Sequence, residues 1–330
     1  MSRQVSVTCY FGSNGQSHEV RPSDDFVRSK LRIKLMARLR HIANLWTLWD
    51  HPSADIEWPL ETKLRSIADA GFDGVCWAPS AELHAWCDRL GLIFLGGMAS
   101  SDPAGFPTNL DDLRRFGARH VNVQLGQDDT PAPVALELTV SLLSQAHVMS
   151  LLPAIETHRG TCTETPEKMY ALADAYEEIT GELLPISFDF SHFAVVKHLV
   201  PENFTARLLV RPDLVQRACQ FHFRPFNGHH VQVPITDRAG RITREVEDWL
   251  PFGEAVLRCW LQANAAGDRE LFLCPELGPV RGGYALSSFP KSWEDAKVLR
   301  ELIAALWARI IPDFGLTATA SADTPWESRP

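Results

Sequence analysis

Residues 150–191 read SLLPAIETHRGTCTETPEKMYALADAYEEITGELLPISFDFS, and their pattern indicates the fold class. Short apolar runs at both ends, SLLPAIET and LPISFDFS, flank an amphipathic stretch over 165–181. Apolar side chains recur there at helical steps, at Met169, Leu172, Ala173 and Tyr176. Gly181 follows, where a helix often ends in the left-handed conformation. The stretch therefore predicts a strand, a helix and a second, parallel strand.

The same alternation covers most of the chain. The eight apolar runs are 41–48, 72–79, 92–100, 120–126, 150–157, 184–191, 217–225 and 270–278. Helical stretches include 59–71, 80–91, 165–181 and 292–310, and Gly71 and Gly91 end the first two. Apolar strands separated by helices are typical of parallel strands buried on both faces, so eight units predict a (β/α)₈ TIM barrel. A doubly wound sheet is the alternative, but no GxGxxG follows the first run and the chain has no P-loop.

Two segments lie outside the repeat. Residues 1–38 are expected to form an N-terminal extension that covers one end of the barrel or contacts another subunit. It begins with a polar segment, and a basic stretch over 28–40, RSKLRIKLMARLR, is expected to be helical. The barrel is expected over 39–314. Residues 315–330 are small, polar and contain proline, which predicts a disordered tail.

Composition excludes several classes of protein. The chain has 330 residues, and 32 Lys and Arg against 41 Asp and Glu give a net charge of −9, which argues against a nucleic-acid partner. No apolar run reaches the roughly 20 residues that cross a bilayer, and the first residues lack the pattern of a secretory signal. The seven cysteines are scattered and never in CxxC spacing, which argues against a disulfide framework or a thiolate zinc site. We therefore expect a soluble, reduced, cytoplasmic protein without nucleic-acid or membrane partners.

Ionisable residues follow four consecutive predicted strands. Glu156, Asp189, His222 and Glu276 each stand at or near the end of a run. The first three are spaced by 33 residues, one strand–helix unit each, so all four are expected at the rim where barrel enzymes carry their catalytic groups. Buried charges are costly unless they are paired or bind a cation. Three carboxylates and one imidazole suit a single divalent ion, with Mn²⁺ first and Mg²⁺, Co²⁺ or Zn²⁺ as alternatives.

Residues 40–310 resemble the xylose isomerase-like barrel superfamily of sugar isomerases and epimerases. The resemblance rests on LWTLWDHP at 45–52, on EWPLETKLRSIADAGFDGVCWAP at 57–79 and on the four rim motifs. It implies one divalent metal held by Glu156, Asp189, His222 and Glu276. The superfamily's D-x-x-H and H-x-K/R patterns fall on His192 and Arg224, which the resemblance implies would contact substrate oxygens. It also implies a homodimer or homotetramer.

The implied chemistry begins with a metal chelated by a substrate carbonyl and the adjacent hydroxyl. The metal acts as a Lewis acid and stabilises an enediolate. Glu156 and Glu276 would be the catalytic pair: one abstracts the proton α to the carbonyl and the other returns it. A small-molecule carbohydrate is therefore the expected substrate.

The sequence departs from the epimerase pattern after the first glutamate. The further acidic residue that epimerases carry there is missing, and His158 and Arg159 stand nearby, which could favour an anionic substrate or position a leaving group. Trp46 could stack on a sugar ring and Gln124 could hydrogen-bond a hydroxyl. His230 lies on a long loop predicted over the barrel mouth, where it could also contact substrate.

These residues favour an isomerase or epimerase of a keto-sugar or related polyol. A lyase that dehydrates a keto-cyclitol, dehydroshikimate or 3-keto-sugar stays open, because both reactions begin with the same proton abstraction. A barrel of the AP endonuclease type needs three zinc ions and histidines that the second and third runs lack. A barrel that only binds a ligand would not need a complete metal set.

Overall fold

The eight apolar runs form parallel strands that close into a barrel in chain order, with the eighth strand paired to the first. The computed structural model describes residues 36–286 and 291–317. Its strands are β1 (Arg38–Asn44), β2 (Gly74–Trp77), β3 (Ile93–Ser100), β4 (His120–Leu125), β5 (Leu152–Glu156), β6 (Ile186–Phe188), β7 (Gln220–His222) and β8 (Glu270–Cys274). The predicted (β/α)₈ TIM barrel is confirmed.

Helices surround the barrel and connect successive strands. In the described residues they are α1 (Leu60–Asp69), α2 (Ala81–Leu90), α3 (Phe106–Arg115), α4 (Ala132–Val148), α5 (Pro166–Thr180), α6 (Phe190–Val196), α7 (Phe204–Leu208), α8 (Pro212–Arg217), α9 (Arg244–Asn264) and α10 (Ser292–Ile310). The four helical stretches named from the sequence match α1, α2, α5 and α10. Gly71, Gly91 and Gly181 follow helices with φ of 74°, 65° and 73°, the left-handed conformation that glycine adopts most easily.

Local capping explains where the helices begin. The Ser80 hydroxyl accepts a hydrogen bond from the Leu83 backbone N–H at the start of α2, and Thr165 does the same for Lys168 at the start of α5. Asp189 caps α6 by accepting from the Ser191 N–H. A residue at the end of β6 is therefore also fixed by the helix that follows it.

The core has two apolar layers. The larger one fills the space between strands and helices, and includes the fully buried rings of Trp249, Trp260 and Trp293. The smaller one lies inside the barrel and consists of Ile42, Cys76, Leu95, Phe272 and Cys274. Side chains alternate between these two layers along each strand. Every second residue therefore points into the barrel, and the last inward residue of a strand lies at the rim.

The first strand differs from its prediction at both ends. β1 begins at Arg38, so residues 38–40 are strand and their prediction as helix was wrong. The run predicted to continue to residue 48 ends at Asn44, because the Asn44 side chain accepts a hydrogen bond from the Trp46 N–H and starts the 3₁₀ turn Leu45–Leu48. Residues 1–35 of the expected extension and 318–330 of the expected tail lie outside the described residues.

No helix among the described residues is long and apolar enough to span a membrane. Six of the seven cysteines fall in the described part of the chain, and all six are free thiols.

Candidate active site

Four strand ends bring Glu156, Asp189, His222 and Glu276 together at one end of the barrel. One ligand atom from each residue lies within 4.8 Å of the others, and all four side chains are buried. Glu156 and His222 are the last residues of β5 and β7, Asp189 directly follows β6, and Glu276 lies two residues beyond β8.

The central contact joins the two glutamates through one imidazole. The His222 Nδ1 atom lies 2.8 Å from Glu156 Oε1 and 3.2 Å from Glu276 Oε2. Glu156 Oε1 and His222 Nδ1 are buried, yet neither makes a well-aligned hydrogen bond within the described residues. Buried polar atoms are rarely left this way in proteins, and carboxylate and imidazole ligand atoms that converge on one point are what a cation needs. The donor set therefore fits a divalent metal ion.

The pKa shifts of the cluster residues also indicate a site that favours positive charge. Burial lowers the pKa of His222, but Glu276 and Glu156 together raise it well above its usual value. Burial raises the pKa of Glu156, but the positive charge of His222 lowers it by more, and the net shift is downward. The pKa of Glu276 is also lowered, against its burial, by His222 and Arg224. The two carboxylates thus remain ionised around a site that holds a cationic group between them.

Two asparagines hold the outer oxygens of the glutamates. Asn44 Nδ2 donates to Glu276 Oε1 at 2.7 Å, and Asn122 Nδ2 donates to Glu156 Oε2 at 2.7 Å. Both asparagines are buried and come from β1 and β4, the strands next to those of the glutamates. Sequence reasoning missed both residues. Side chains of a strand point alternately into and out of the barrel. A polar residue at an inward position near the end of a strand could have been identified from this pattern.

Asp189 is held by groups of its own strand end and by Arg224. Its Oδ1 accepts from the Ser191 N–H at 2.9 Å, and its Oδ2 accepts from Arg224 Nη2 and lies 3.5 Å from His192 Nε2. Burial raises the pKa of Asp189 even though Arg224 opposes the shift. Because each carboxylate oxygen has two lone pairs, Asp189 can keep these contacts and still offer an atom to a metal.

Arg224 and His192, predicted to contact substrate oxygens, lie beside Asp189. The Arg224 side chain is fully buried; its Nη1 lies 3.2 Å from Glu276 Oε2 and donates to the Glu276 backbone carbonyl at 3.0 Å. Burial, together with the positive charge of Arg224, lowers the pKa of His192 well below its usual value. The His192 ring is therefore neutral, and the Arg224 guanidinium supplies the positive charge at this side of the site.

A cavity of about 440 Å³ opens over the cluster and is bordered by Glu276 and His222. Its polar wall is formed by the amides of Asn44, Asn122 and Gln124, and its aromatic wall by Trp46, Trp77 and Tyr284. Glu156 and Asp189 are fully buried and do not border it. A lining that combines amides, which can hydrogen-bond hydroxyls, with aromatic rings suits a small polyhydroxylated molecule.

The remaining predicted residues fall in three places. Trp46, Gln124 and His158 border the cavity. Arg159 is exposed, and its guanidinium carbon lies 4.5 Å from the centroid of the Tyr284 ring. His230 lies elsewhere and borders a second cavity, of about 280 Å³, between the loop that precedes α9 and the start of α10.

Tyr284 is a further residue that sequence reasoning missed. Its ring packs edge-on against Trp46, with centroids 4.7 Å apart, and its centroid is 5.3 Å from the guanidinium carbon of Arg224. Tyr284 lies on the loop after β8 and has no motif around it, so only the folded structure connects it with the cavity.

The sequence matches no protein-family model, and no curated protein shows significant similarity to it. Solved structures do match. An L-ribulose 3-epimerase is 14% identical with a TM-score of 0.55, and the alignment covers 88% of this chain and 100% of that one. The probable 3-DHS dehydratase AsbF of Bacillus anthracis, involved in petrobactin synthesis, is 14% identical with a TM-score of 0.51, over 79% of this chain and 98% of that one.

A xylose isomerase-like TIM barrel protein from Mycobacterium smegmatis, in complex with magnesium, is 16% identical with a TM-score of 0.50, over 82% of this chain and 98% of that one. The chain spans only 46% of a longer match, a fusion of a xylose isomerase-like TIM barrel with a 4-hydroxyphenylpyruvate dioxygenase. At these identities the matches establish the fold. The chain therefore has the fold of the xylose isomerase-like TIM barrels.

Proposed function

We propose that this protein is a divalent-metal-dependent isomerase or epimerase of a keto-sugar or related polyol. The observation that carries the proposal is the buried cluster of Glu156, Asp189, His222 and Glu276 beneath a cavity of sugar size. The similar fold of an L-ribulose 3-epimerase and of a barrel protein in complex with magnesium supports the same class of chemistry. Mn²⁺ is the first candidate, because three carboxylates and one imidazole suit it.

When bound, the ion would supply Lewis acidity to a substrate carbonyl and so acidify the neighbouring C–H. The residues of the chain handle the proton. Glu276 borders the cavity and stays ionised next to His222 and Arg224, so it is placed to accept the proton α to the carbonyl. Glu156, across His222 from Glu276, is the second member of the acid–base pair.

The surrounding residues orient the substrate and balance its charge. The Arg224 guanidinium, close to Glu276, stabilises negative charge that develops on the substrate as an enediolate forms. Trp46 and Trp77 offer apolar faces to a sugar ring, and Gln124 offers a hydrogen-bonding amide. The cavity lining thus favours a substrate that has both apolar ring surface and hydroxyl groups.

A lyase on the same scaffold is the second candidate, and His158 favours it. His158 borders the cavity, and its Nδ1 atom lies 2.5 Å from the Arg159 backbone carbonyl. A carbonyl oxygen only accepts, so the proton resides on Nδ1 and the Nε2 atom is the one available to a substrate. The proton that Nε2 accepts from the substrate would convert the ring to an imidazolium, and this can return the proton to the departing hydroxyl group, which leaves as water. The similar fold of the probable 3-DHS dehydratase supports this reading.

Metal content and proton exchange test the proposal together. We expect about one divalent ion per chain in the purified protein, and loss of that ion in Glu156→Gln and Asp189→Asn variants. Asp111→Asn is the matched control, because this exposed carboxylate lies on the surface of α3, where it pairs with Arg114. With ketoses and keto-cyclitols in D₂O, the metal-loaded protein should introduce deuterium α to the carbonyl.

The mass of the product then separates the two reactions, because only the lyase releases water. A protein that binds no divalent metal would refute the site assignment. A protein that binds metal but catalyses no exchange with any of these compounds would refute the proposed chemistry and leave the metal site standing.

A further inference from the structure

The two buried asparagines form a matched pair around the glutamates. Asn44 and Glu276 lie on the neighbouring strand ends of β1 and β8, and Asn122 and Glu156 on those of β4 and β5. In both pairs the amide nitrogen lies 2.7 Å from one carboxylate oxygen. The same arrangement therefore occurs twice, on opposite sides of His222.

The orientation of each amide is determined by its surroundings. Asn44 Oδ1 accepts from the Trp46 backbone N–H at 3.0 Å, which leaves Asn44 Nδ2 to face Glu276. For Asn122 the amide nitrogen lies 2.7 Å from Glu156 Oε2, and a carboxylate oxygen accepts hydrogen bonds, so the donor faces the carboxylate. Both contacts are thus amide-to-carboxylate hydrogen bonds in buried surroundings, where such bonds are strong.

One oxygen of each glutamate is engaged in this way, and the other is not. The remaining oxygens, Glu156 Oε1 and Glu276 Oε2, both face His222 Nδ1. We propose that Asn44 and Asn122 are positioning residues that hold each carboxylate in an orientation with only one oxygen turned toward the metal position. They thereby make the site selective for a small six-coordinate cation over Ca²⁺. This inference rests on the proposed metal site and adds its selectivity.

Coordination chemistry gives the reason. Ca²⁺ takes six to eight oxygen ligands and often binds carboxylates through both oxygens, whereas Mg²⁺ and ions like it prefer six ligands in an octahedron. A six-coordinate ion held by one atom from each of the four cluster residues would keep two further positions for substrate. Those two positions fit a carbonyl and the adjacent hydroxyl. Glutamates free to bind through both oxygens would fill them and would accommodate a larger ion.

The test compares Mn²⁺ and Ca²⁺ binding to the metal-free full chain by isothermal titration calorimetry. Asn44→Leu and Asn122→Leu keep the branched shape and the number of heavy atoms of the side chain but remove the donor. We expect each to weaken Mn²⁺ binding about 10- to 100-fold, which is typical when a residue that orients a ligand is lost. We also expect each to lower the ratio of Mn²⁺ to Ca²⁺ affinity. With Co²⁺ as a spectroscopic probe, the visible absorption bands should shift in both variants.

Gln124→Leu is the matched control. Gln124 borders the same cavity but makes no hydrogen bond to a carboxylate within the described residues, so its loss should leave the affinity ratio and the Co²⁺ spectrum unchanged. Asn44→Ser and Asn122→Ser provide milder changes if a leucine variant does not fold. Their shorter hydroxyl reaches the carboxylate poorly, so the affinity ratio should still fall.

The outcomes separate this inference from the proposed function. If the unmodified protein binds no Mn²⁺, the proposed metal site itself is wrong. If it binds Mn²⁺ and the asparagine variants keep the same affinity ratio and Co²⁺ spectrum, the asparagines only stabilise the fold and the inference is wrong. A fall in the ratio in both pairs of variants, with the control unchanged, supports the positioning role.

Discussion

Arg224 is a fully buried guanidinium between two buried carboxylates, Asp189 and Glu276. Removing one partner of a buried ion pair leaves an uncompensated charge, which typically costs about 3 to 5 kcal/mol. We therefore expect Arg224→Met to lower the free energy of unfolding of the metal-free protein by that amount, measured by urea denaturation with EDTA present. The exposed Arg241 pairs with Asp237, and Arg241→Met should have little effect. Equal effects of the two substitutions would contradict this account of Arg224.

At the scale of elements, the loop after β8 packs against the 3₁₀ turn after β1. A methyl group added at Gly278 would lie 2.3 Å from the Trp46 Cη2 atom, so the indole at the cavity wall would have to move. We expect Gly278→Ala to lower the free energy of unfolding by about 1 to 3 kcal/mol through overpacking. It should also raise KM more than it lowers kcat. Gly267→Ala is the control, because its nearest contact would be an ordinary 3.4 Å; similar losses in both would refute the steric explanation.

The order of the elements was predictable because each strand and each helix carries its own local pattern. The spacing of Glu156, Asp189 and His222 was readable for the same reason, since one strand–helix unit repeats at a nearly constant length. The ends of the strands were less predictable. Asn44 ends β1 by capping the turn that follows, and Asp189 is both the residue after β6 and the cap of α6. In each case one side-chain hydrogen bond determines whether the residue continues the strand or caps the element that follows.

The asparagine pair and Tyr284 could not be predicted in this way, because their roles depend on contacts between distant parts of the chain. Asn44 contacts a glutamate 232 residues away, and neither residue belongs to a motif. Tyr284 borders the cavity because of the path that the loop after β8 takes, and that path is not visible in the local sequence. His230, by contrast, was predicted to contact substrate from a long loop, but it borders a different cavity from the one over the cluster.

At the scale of the whole molecule, buried histidines should make the fold sensitive to acid. Burial lowers the pKa of His41 to about 3, with a further contribution from Arg300, and lowers the pKa of His120 to about 4, assisted by Arg119. In the unfolded chain both would titrate near 6.5. Below about pH 6.5 the unfolded state therefore binds more protons than the folded state. The stability contributed by the neutral histidines is complete above that pH and falls as the pH decreases toward 4.

Each of these histidines should add a slope of up to about 1.4 kcal/mol per pH unit to the free energy of unfolding between pH 6 and pH 4. Urea denaturation of metal-free protein at pH 7.5, 6.5, 5.5 and 4.5 measures the slope. In His120→Asn, which cannot take up the proton, the slope should be shallower by one such contribution. His147 is exposed at the end of α4, so His147→Asn should follow the unmodified protein. Parallel curves for all three proteins would mean that His120 takes up no additional proton on unfolding in that pH range, and would refute this account of His120.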